Sequence, residues 1–417
     1  MRILVPLPFD PSDTAHGRNL RVVNLLTHMS PRAEIRCLVE SAEVAGRLGR
    51  MLPGARVEPA EAVLSPCDRR VPRVSRIGAY FGSSAGLTAA AAACAGRADA
   101  VLGFDLPSIN AVLAAGSAAS RPRLILDVID DPWLTWLSGR RAERLGPSGL
   151  KTALCVRLAR RFLLPRLDAL VAVSPRDAAS LSRACGKRVR VVPNGVALQP
   201  PDCLTQPREP MVIFTGAMDF GPNERAACRL ARQLWPEIRR TAAERDGGGA
   251  GSLELVIAGS NPTAAVRALA ELPGVRVTGW VADLGLWLRR ACVAVAPMDS
   301  GTGMKNKVLE ALAAACPVVA TSAGAAGLPV GEAHGLVVED APDRLARAAG
   351  LLAADPVRAR RLGRAGWRTV RDRYAWADCA GLMIETVGEL VRRCRTAPAA
   401  ATGLRTGEQE ALPHAAS

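Results

Sequence analysis

Short apolar runs followed by helical patterns recur along the whole chain, and this alternation limits the fold more than any other feature. The runs are Arg2–Leu7 (RILVPL), Glu34–Val39, Ala98–Gly103 (ADAVLG), Leu124–Val128 (LILDV), Ala169–Val173 (ALVAV) and Val189–Val192 (VRVV). Such continuously apolar strands belong to parallel sheets covered by helices on both faces. A stretch rich in Pro and polar residues, 197–210, interrupts the pattern and reads as a linker. Strands then restart at Met211–Gly216 (MVIFTG), Leu253–Gly259, Val275–Gly279, Cys292–Pro297, Pro317–Thr321 and Leu336–Glu339. The predicted fold class is therefore α/β, with two doubly wound, Rossmann-like domains facing a cleft. Their spans are 1–196 and 211–372. The segment Arg245–Ser252 reads as a flexible loop, and 396–417, which has no periodicity, as a disordered tail.

Charge and cysteine usage narrow the function classes. A formal net charge of +15 favours an acidic partner such as a nucleotide or an anionic lipid surface. No zinc-finger spacing, aromatic RNA-binding strand or lysine-rich tract supports nucleic acid. The 11 cysteines are scattered without a CxxC pair, as expected of reduced core thiols in a cytoplasmic protein. The N-terminal apolar run is too short for a secretory signal, and no run suits a membrane span. The stretch CVRLARRFLLPRL, with Arg157, Arg160, Arg161 and Arg166, is basic and amphipathic. It reads as a solvated face or as a surface for anionic lipid at the membrane periphery.

Chemistry concentrates in Ala296–Thr321, APMDSGTGMKNKVLEALAAACPVVAT. A strand leads into a glycine-bearing turn, and Met304, Val308, Ala311, Leu312 and Ala315 then mark one face of a helix over 304–315. The chain has only four lysines, and Lys305 and Lys307 both fall at the start of this helix. The helix dipole disfavours cations there, so an anion held by free N–H groups and the lysines is expected. Lys307 and Glu310 share a face, whereas Lys305 reaches the same ligand only from within the turn. In the first half, His16 and Gly17 follow the first strand, where open α/β sheets place ligands. Asp127, Asp130 and Asp131 cluster at the end of another strand, as metal ligands or with Asp130 and Asp131 capping the next helix. Trp133 and Trp136 beside them read as packing or as a wall for an acceptor.

Several of these stretches together resemble family 4 glycosyltransferases, which have the GT-B fold. GVRVTGWVADLGLWLRRACVAVAPMDSGTGMKNKVLEALAAACPVVAT resembles the donor half, in the branch whose motif runs G-x-G-x-x-x-K-x-L-E-A. LDALVAVSPRDAASLSR with VRVVPNGV, and IFTGAMDFGPN, resemble the close of the first domain and the opening of the second. RDRYAWADCAGLM resembles the terminal helix that crosses back to the first domain, here 373–395. The resemblance implies that Glu310 binds the donor ribose and that Lys307 neutralises the leaving diphosphate. Gly301, Thr302, Gly303 and Met304 match the turn that meets the diphosphate. Trp280 and Val281 match the loop that reads the nucleobase, and Gly17 a glycine near the phosphates. Gly216, which closes the opening strand of the second domain, and His16 complete the donor-binding set.

There are departures from the family pattern. Thr302 stands where the broader family has a glutamate, with Asp299 as a candidate substitute. No cation occurs in Ala217–Asn223, where an arginine and a lysine are usual, so the charge falls to Lys307 and Lys305. Cys316 occupies the place of a helix-ending glycine. The resemblance implies transfer from a nucleoside-diphosphate sugar to an acceptor hydroxyl, with retention, without a metal or other cofactor, in polysaccharide or cell-envelope glycan synthesis. Asp105, Asp130 and Asp131 are candidates for the general base. The rival readings are a catalytically silent nucleotide-sugar-binding protein and a nucleotide-sugar epimerase.

Overall fold

A computed structural model describes residues 1–13, 17–64, 75–82, 84–139, 144–245 and 253–396, without the side chains of 394–396. The candidate His16, most of the loop expected at Arg245–Ser252 and the tail from 397 lie outside the described residues.

Two parallel sheets organise the chain. The first holds β1 (Arg2–Leu7), β2 (Glu34–Val39), β3 (Ala55–Pro59), β4 (Ala100–Phe104), β5 (Arg123–Val128), β6 (Ala169–Ala172) and β7 (Arg190–Val191), in the order β3-β2-β1-β4-β5-β6-β7. The second holds β8 (Glu209–Thr215), β9 (Glu254–Ala258), β10 (Val275–Gly279), β11 (Ala291–Ala296), β12 (Val318–Ala320) and β13 (Leu336–Val338), in the order β10-β9-β8-β11-β12-β13. Every residue of β11 is buried, because helices cover both faces of its sheet. The charged edge strand β3 (ARVEP) lacks this signal and escapes a reading based on apolar runs.

Strand order reverses between β1 and β4 in the first sheet and between β8 and β11 in the second. Open α/β sheets bind ligands outside the carboxyl ends of strands at such switch points. Gly17 follows β1, Asp105 follows β4, Gly216 follows β8, and the turn 297–305 follows β11. The topology thus brings together residues that lie far apart in sequence.

Seven helices, α1 to α7 in chain order, bound the cleft or tie the domains together. They are α1 (Gly17–Met29), α2 (Pro132–Ser138), α3 (Pro147–Phe162), α4 (Gly221–Arg229), α5 (Leu284–Arg290), α6 (Asn306–Ala313) and α7 (Trp376–Thr396). On α7, Trp376, Cys379, Ala380, Met383 and Val387 enter the core of the first domain beside Val5, Val22 and Phe104. Burying each large apolar side chain contributes about 1.5–3 kcal/mol, which holds the end of the chain on the opposite domain.

The helix expected over 304–315 is shorter. Lys305 takes an extended conformation as the N-cap of α6, and Met304 is buried between the domains. At the other end the left-handed position falls on Ala315 (φ 53°), not on Cys316, which corrects the expectation for that glycine site. Cys316 is instead a fully buried thiol whose N–H donates to the carbonyl of Ala311 at 2.8 Å.

Candidate active site

A cavity of about 230 Å3 lies between the domains, bounded by α1, the segment 195–199, α5 and α6. Asn306 and Glu310, one turn apart on α6, line it together with Gly285 on α5. The Glu310 carboxylate has no hydrogen-bond partner among the described residues. Burial raises its pKa, while the charge of Lys307 opposes the rise. A carboxylate in that state suits two neighbouring hydroxyl donors, such as those of a ribose.

Lys307 turns away from this cavity toward the end of β8. Its ammonium donates to Asn223 Oδ1 at 2.7 Å and lies 4.3 Å from the centre of the Phe214 ring. Burial, helped by the charge of Lys305 and opposed by Glu310, pushes its pKa down to about 7. Gly216 has no side chain for a steric reason: a Cβ there would lie 2.7 Å from Asn223 Nδ2 and 2.9 Å from Lys307 Nζ. In the first turn of α6 the N–H groups of Val308 and Leu309 donate to the carbonyl of Lys305 at 2.9 and 3.3 Å, which leaves those of Asn306 and Lys307 as the helix-start donors.

Lys305 points elsewhere. As an N-cap residue it remains in the turn, and its ammonium donates to the carbonyl of Thr302. Burial lowers its pKa, against the pull of Asp130 and Asp177. Gly301 packs against this side chain, since a Cβ there would meet Lys305 Nζ at 2.7 Å. The two lysines therefore diverge, one toward β8 and one toward the first domain.

The turn also closes on the first domain. Thr302 Oγ1 lies 2.6 Å from Thr135 Oγ1 on α2. Gly303 (φ 66°) leaves room for Asp130, whose Oδ1 would be 1.9 Å from a Cβ at that position. Met304 Sδ accepts from the N–H of Asn194 at 3.4 Å, and Asn194 Nδ2 donates to Asn306 Oδ1 at 2.9 Å. Gly17, at the start of α1, faces the same Asn306, since a Cβ there would be 3.0 Å from Asn306 Nδ2. Asn194 is in turn held by Arg21, which pairs with Asp127 through two hydrogen bonds of 2.7 and 3.0 Å.

The three aspartates of 127–131 have separate fates. Asp127 is buried against Arg21. Asp131 caps α2 by accepting from the N–H of Trp133 at 3.0 Å, and both its oxygens accept from Arg160 at 2.7 Å. Asp131 is thus committed to structure, which removes it from the base candidates. Asp130 stays open to the cleft. Desolvation pushes its pKa up to about 6, opposed mainly by Lys305. Asp105 sits at φ 57°, accepts from the N–H of Ile129 at 2.9 Å, and is pushed up to about 7 by burial. Backbone in that region is strained for a residue with a side chain and tends to persist at functional sites. Among the described residues no group of three or more His, Cys, Asp or Glu could hold a metal ion.

Asp105 and Asp130 face a second cavity of about 370 Å3, walled mainly by apolar groups that include Leu106, Trp136 and Val156. Trp133 stacks on Trp136 with 5.1 Å between ring centres, so one tryptophan braces the other at the cavity wall.

Three expected donor residues, Trp280, Val281 and Asp299, line neither cavity. Trp280 is 73% exposed. Asp299 pairs with Arg225 on α4 at 3.1 Å and accepts from Ser300 Oγ at 2.8 Å, so it is not a free carboxylate. Arg225 brings a cation to the turn two residues beyond the stretch that lacks one. Sequence reading missed Asn194, Asn223, Asn306, Thr135 and Arg225. The only local signals were the Pro-Asn-Gly turn at 193–195 and an asparagine between the two lysines.

Two doubly wound domains with their switch points facing across a cleft define the GT-B class of glycosyltransferase structures, and the chain has that fold. Residues 209–355 match the model of the family described as Glycosyl transferases group 1. HepE of Anabaena, solved with UDP and glucose, superposes with a TM-score of 0.61 at 14% identity, covering 93% of this chain and 100% of that one. A glycosyltransferase from Rickettsia africae gives 0.59 at 11% identity, over 94% and 98% of the two chains. WaaG, a glycosyltransferase involved in lipopolysaccharide biosynthesis, gives 0.57 at 13% identity, over 92% and 99%. A comparison with curated proteins returned no match.

Proposed function

We propose that the protein transfers a sugar from a nucleoside-diphosphate sugar to an acceptor hydroxyl, with retention at C1 and without a metal ion. The observation that carries this reading is the unpartnered Glu310 carboxylate lining a cavity one turn from a buried Lys307 at the start of α6. Glu310 would hold the ribose. Lys307 and the first amides of α6 would stabilise the charge that grows on the diphosphate as its bond to the sugar breaks. Asp130, the open carboxylate at the edge of the second cavity, would receive or orient the acceptor hydroxyl. The fold shared with WaaG supports a role in polysaccharide or cell-envelope glycan synthesis. No described helix is long and apolar enough to cross a membrane. We place the protein in the cytoplasm, at the inner face of a membrane, on the basic charge of its first domain.

Thermal-shift titration with UDP, GDP, ADP and TDP, followed by transfer assays with the matching sugars, tests the reading. UDP is the first choice because HepE was solved with it. Glu310→Ala is expected to weaken nucleotide binding about tenfold or more while the fold stays intact. Wild type should lose the same factor with a 2′-deoxynucleotide, and the variant should not distinguish the two ligands. Equal discrimination by both proteins would remove Glu310 from the ribose.

The aspartate assignment has its own test. If Asp130 accepts from the acceptor, kcat/KM falls as pH drops through about 6. Asp130→Asn should lower the rate and abolish that acid limb, and an unchanged limb in the variant would move the role to Asp105. The silent-binder reading draws on Thr302, which is tied to Thr135 and offers the sugar no carboxylate. Nucleotide binding without transfer to any acceptor, under conditions where all four donors are tried, would favour it.

A further inference from the structure

Helix α3 is inverted relative to a helix that packs only on its own domain. Its inward face carries Gly149, Thr152, Val156 and Ala159, mostly small groups. Its outward face carries the large apolar ones: Leu150, Leu154 and Phe162 are 51%, 58% and 55% exposed. Lys151, Arg157 and Arg161 share that outward face; Lys151 lies 5.5 Å from the centre of the Tyr80 ring and Arg161 5.7 Å from that of Phe162, and none of the three forms an ion pair among the described residues. Leu145 just before the helix, and Leu137 on the neighbouring α2, are exposed as well. From Arg144 to Leu167 the sequence contains no acidic residue.

An outward face that mixes leucine and phenylalanine with lysine and arginine matches the boundary between lipid headgroups and acyl chains. The apolar groups enter the boundary and the cations meet lipid phosphates. A second copy of this chain would set the same positive charges against each other, so charge complementarity selects an anionic lipid surface. The inward face of the same helix supplies Gly149, Thr152 and Val156 to the wall of the second cavity. That cavity meets the donor turn at Asp130 and at the Thr135–Thr302 contact.

We infer that α3 seats the first domain on an anionic bilayer surface, and that the acceptor is an amphiphile whose hydroxyl head reaches Asp130 through the cavity behind the helix. The second half of this inference rests on the transfer reading; the first does not. An apolar wall ending in two carboxyl groups suits an acceptor with an apolar body and a polar reacting end.

Sedimentation of the full chain with phosphatidylcholine vesicles, with and without phosphatidylglycerol, tests the surface. Wild type should bind only the anionic vesicles, and Leu150→Glu/Leu154→Glu should bind them about tenfold less or worse. The nucleotide-induced thermal shift of that variant should match wild type, which shows that it folds. Equal binding by wild type and variant, no binding by wild type, or a wild-type dimer in analytical ultracentrifugation that the variant abolishes would each overturn the docking surface. For the cavity, calorimetry should show octyl glucoside binding below its micelle concentration and no binding of glucose. Thr152→Trp, which fills the cavity, should abolish the octyl glucoside signal. Equal binding of the two sugars, or no binding of octyl glucoside, would overturn the amphiphile. Failure of every nucleotide to bind wild type would sink the transfer reading and leave the vesicle result standing.

Discussion

Replacing Lys307 by methionine should lower turnover about a hundredfold, with the fold intact, because under the proposed transfer reaction the variant loses the cation that would meet the leaving diphosphate. The same substitution should change how stability depends on pH. Burial holds the folded-state pKa of Lys307 at about 7, against an ordinary value of 10.5. Between those values the unfolded chain binds a proton that the folded protein does not, so wild type gains stability as pH rises through this window. The gain relative to Lys307→Met should reach about 2 kcal/mol between pH 7 and about 9. Melting curves of both proteins across that range test it, and parallel curves would show that Lys307 is not depressed. Binding of a nucleoside diphosphate at pH 8 should then take up about one proton, since the ligand restores the charge. Calorimetry in buffers of different ionisation enthalpy reads that proton directly, and Lys307→Met should lack it.

Arg21→Met should cost about 3–5 kcal/mol at neutral pH. Arg21 and Asp127 are both fully buried, and the arginine also donates to the carbonyls of Val192 and Pro193. Removing it leaves a carboxylate without compensation in the core. Burial already raises the pKa of Asp127, and only Arg21 opposes this. In the variant the folded protein would therefore hold a proton that the unfolded chain has lost, and its stability should fall as pH rises above the ordinary carboxylate value. Denaturant titrations at pH 5 and pH 7.5 should show the variant closer to wild type at the lower pH. Arg21→Met/Asp127→Leu should recover most of the loss, because no charge is then stranded. An Arg21→Met protein as stable as wild type would mean that the pair contributes nothing. Because Arg21 also holds Asn194 against Asn306, the single variant should weaken nucleotide binding even where it is folded.

Much of this architecture was legible in the residues. Runs such as RILVPL and CVAVAP read as strands because both faces of a parallel strand are covered. The cluster of rare lysines at the start of one helix singled out the turn 297–305 because such charges oppose the helix dipole, and that turn does lie at the interdomain cleft. Gly17 and Gly216 read as positions of close approach to a donor; in the structure a Cβ at Gly216 would press on Lys307 and Asn223, and one at Gly17 would sit tightly against Asn306. The aspartates show where legibility ended. Asp130 and Asp131 are adjacent and chemically identical, yet one faces the cleft and the other is bound to Arg160, and no local pattern separates them. Asp299 looked free until Arg225 came across from α4 to pair with it.

The sequence by itself determined two parallel-sheet domains and a helix that opens on two lysines and carries Glu310 one turn from Lys307. These follow from periodicity, backbone conformation and the helix dipole, all of which act within a few residues. Only the tertiary structure decided the direction of each lysine, the loss of Asp131 to the core, and the closure of the cleft. It brings Thr302 to Thr135 and joins Asp127, Arg21, Asn194 and Asn306 in one chain of hydrogen bonds. Those contacts join residues more than a hundred positions apart, where only packing within the first domain (Arg21 with Asp127 and Asn194) and of one domain against the other (Thr135 with Thr302, Asn194 with Asn306) sets distance and burial.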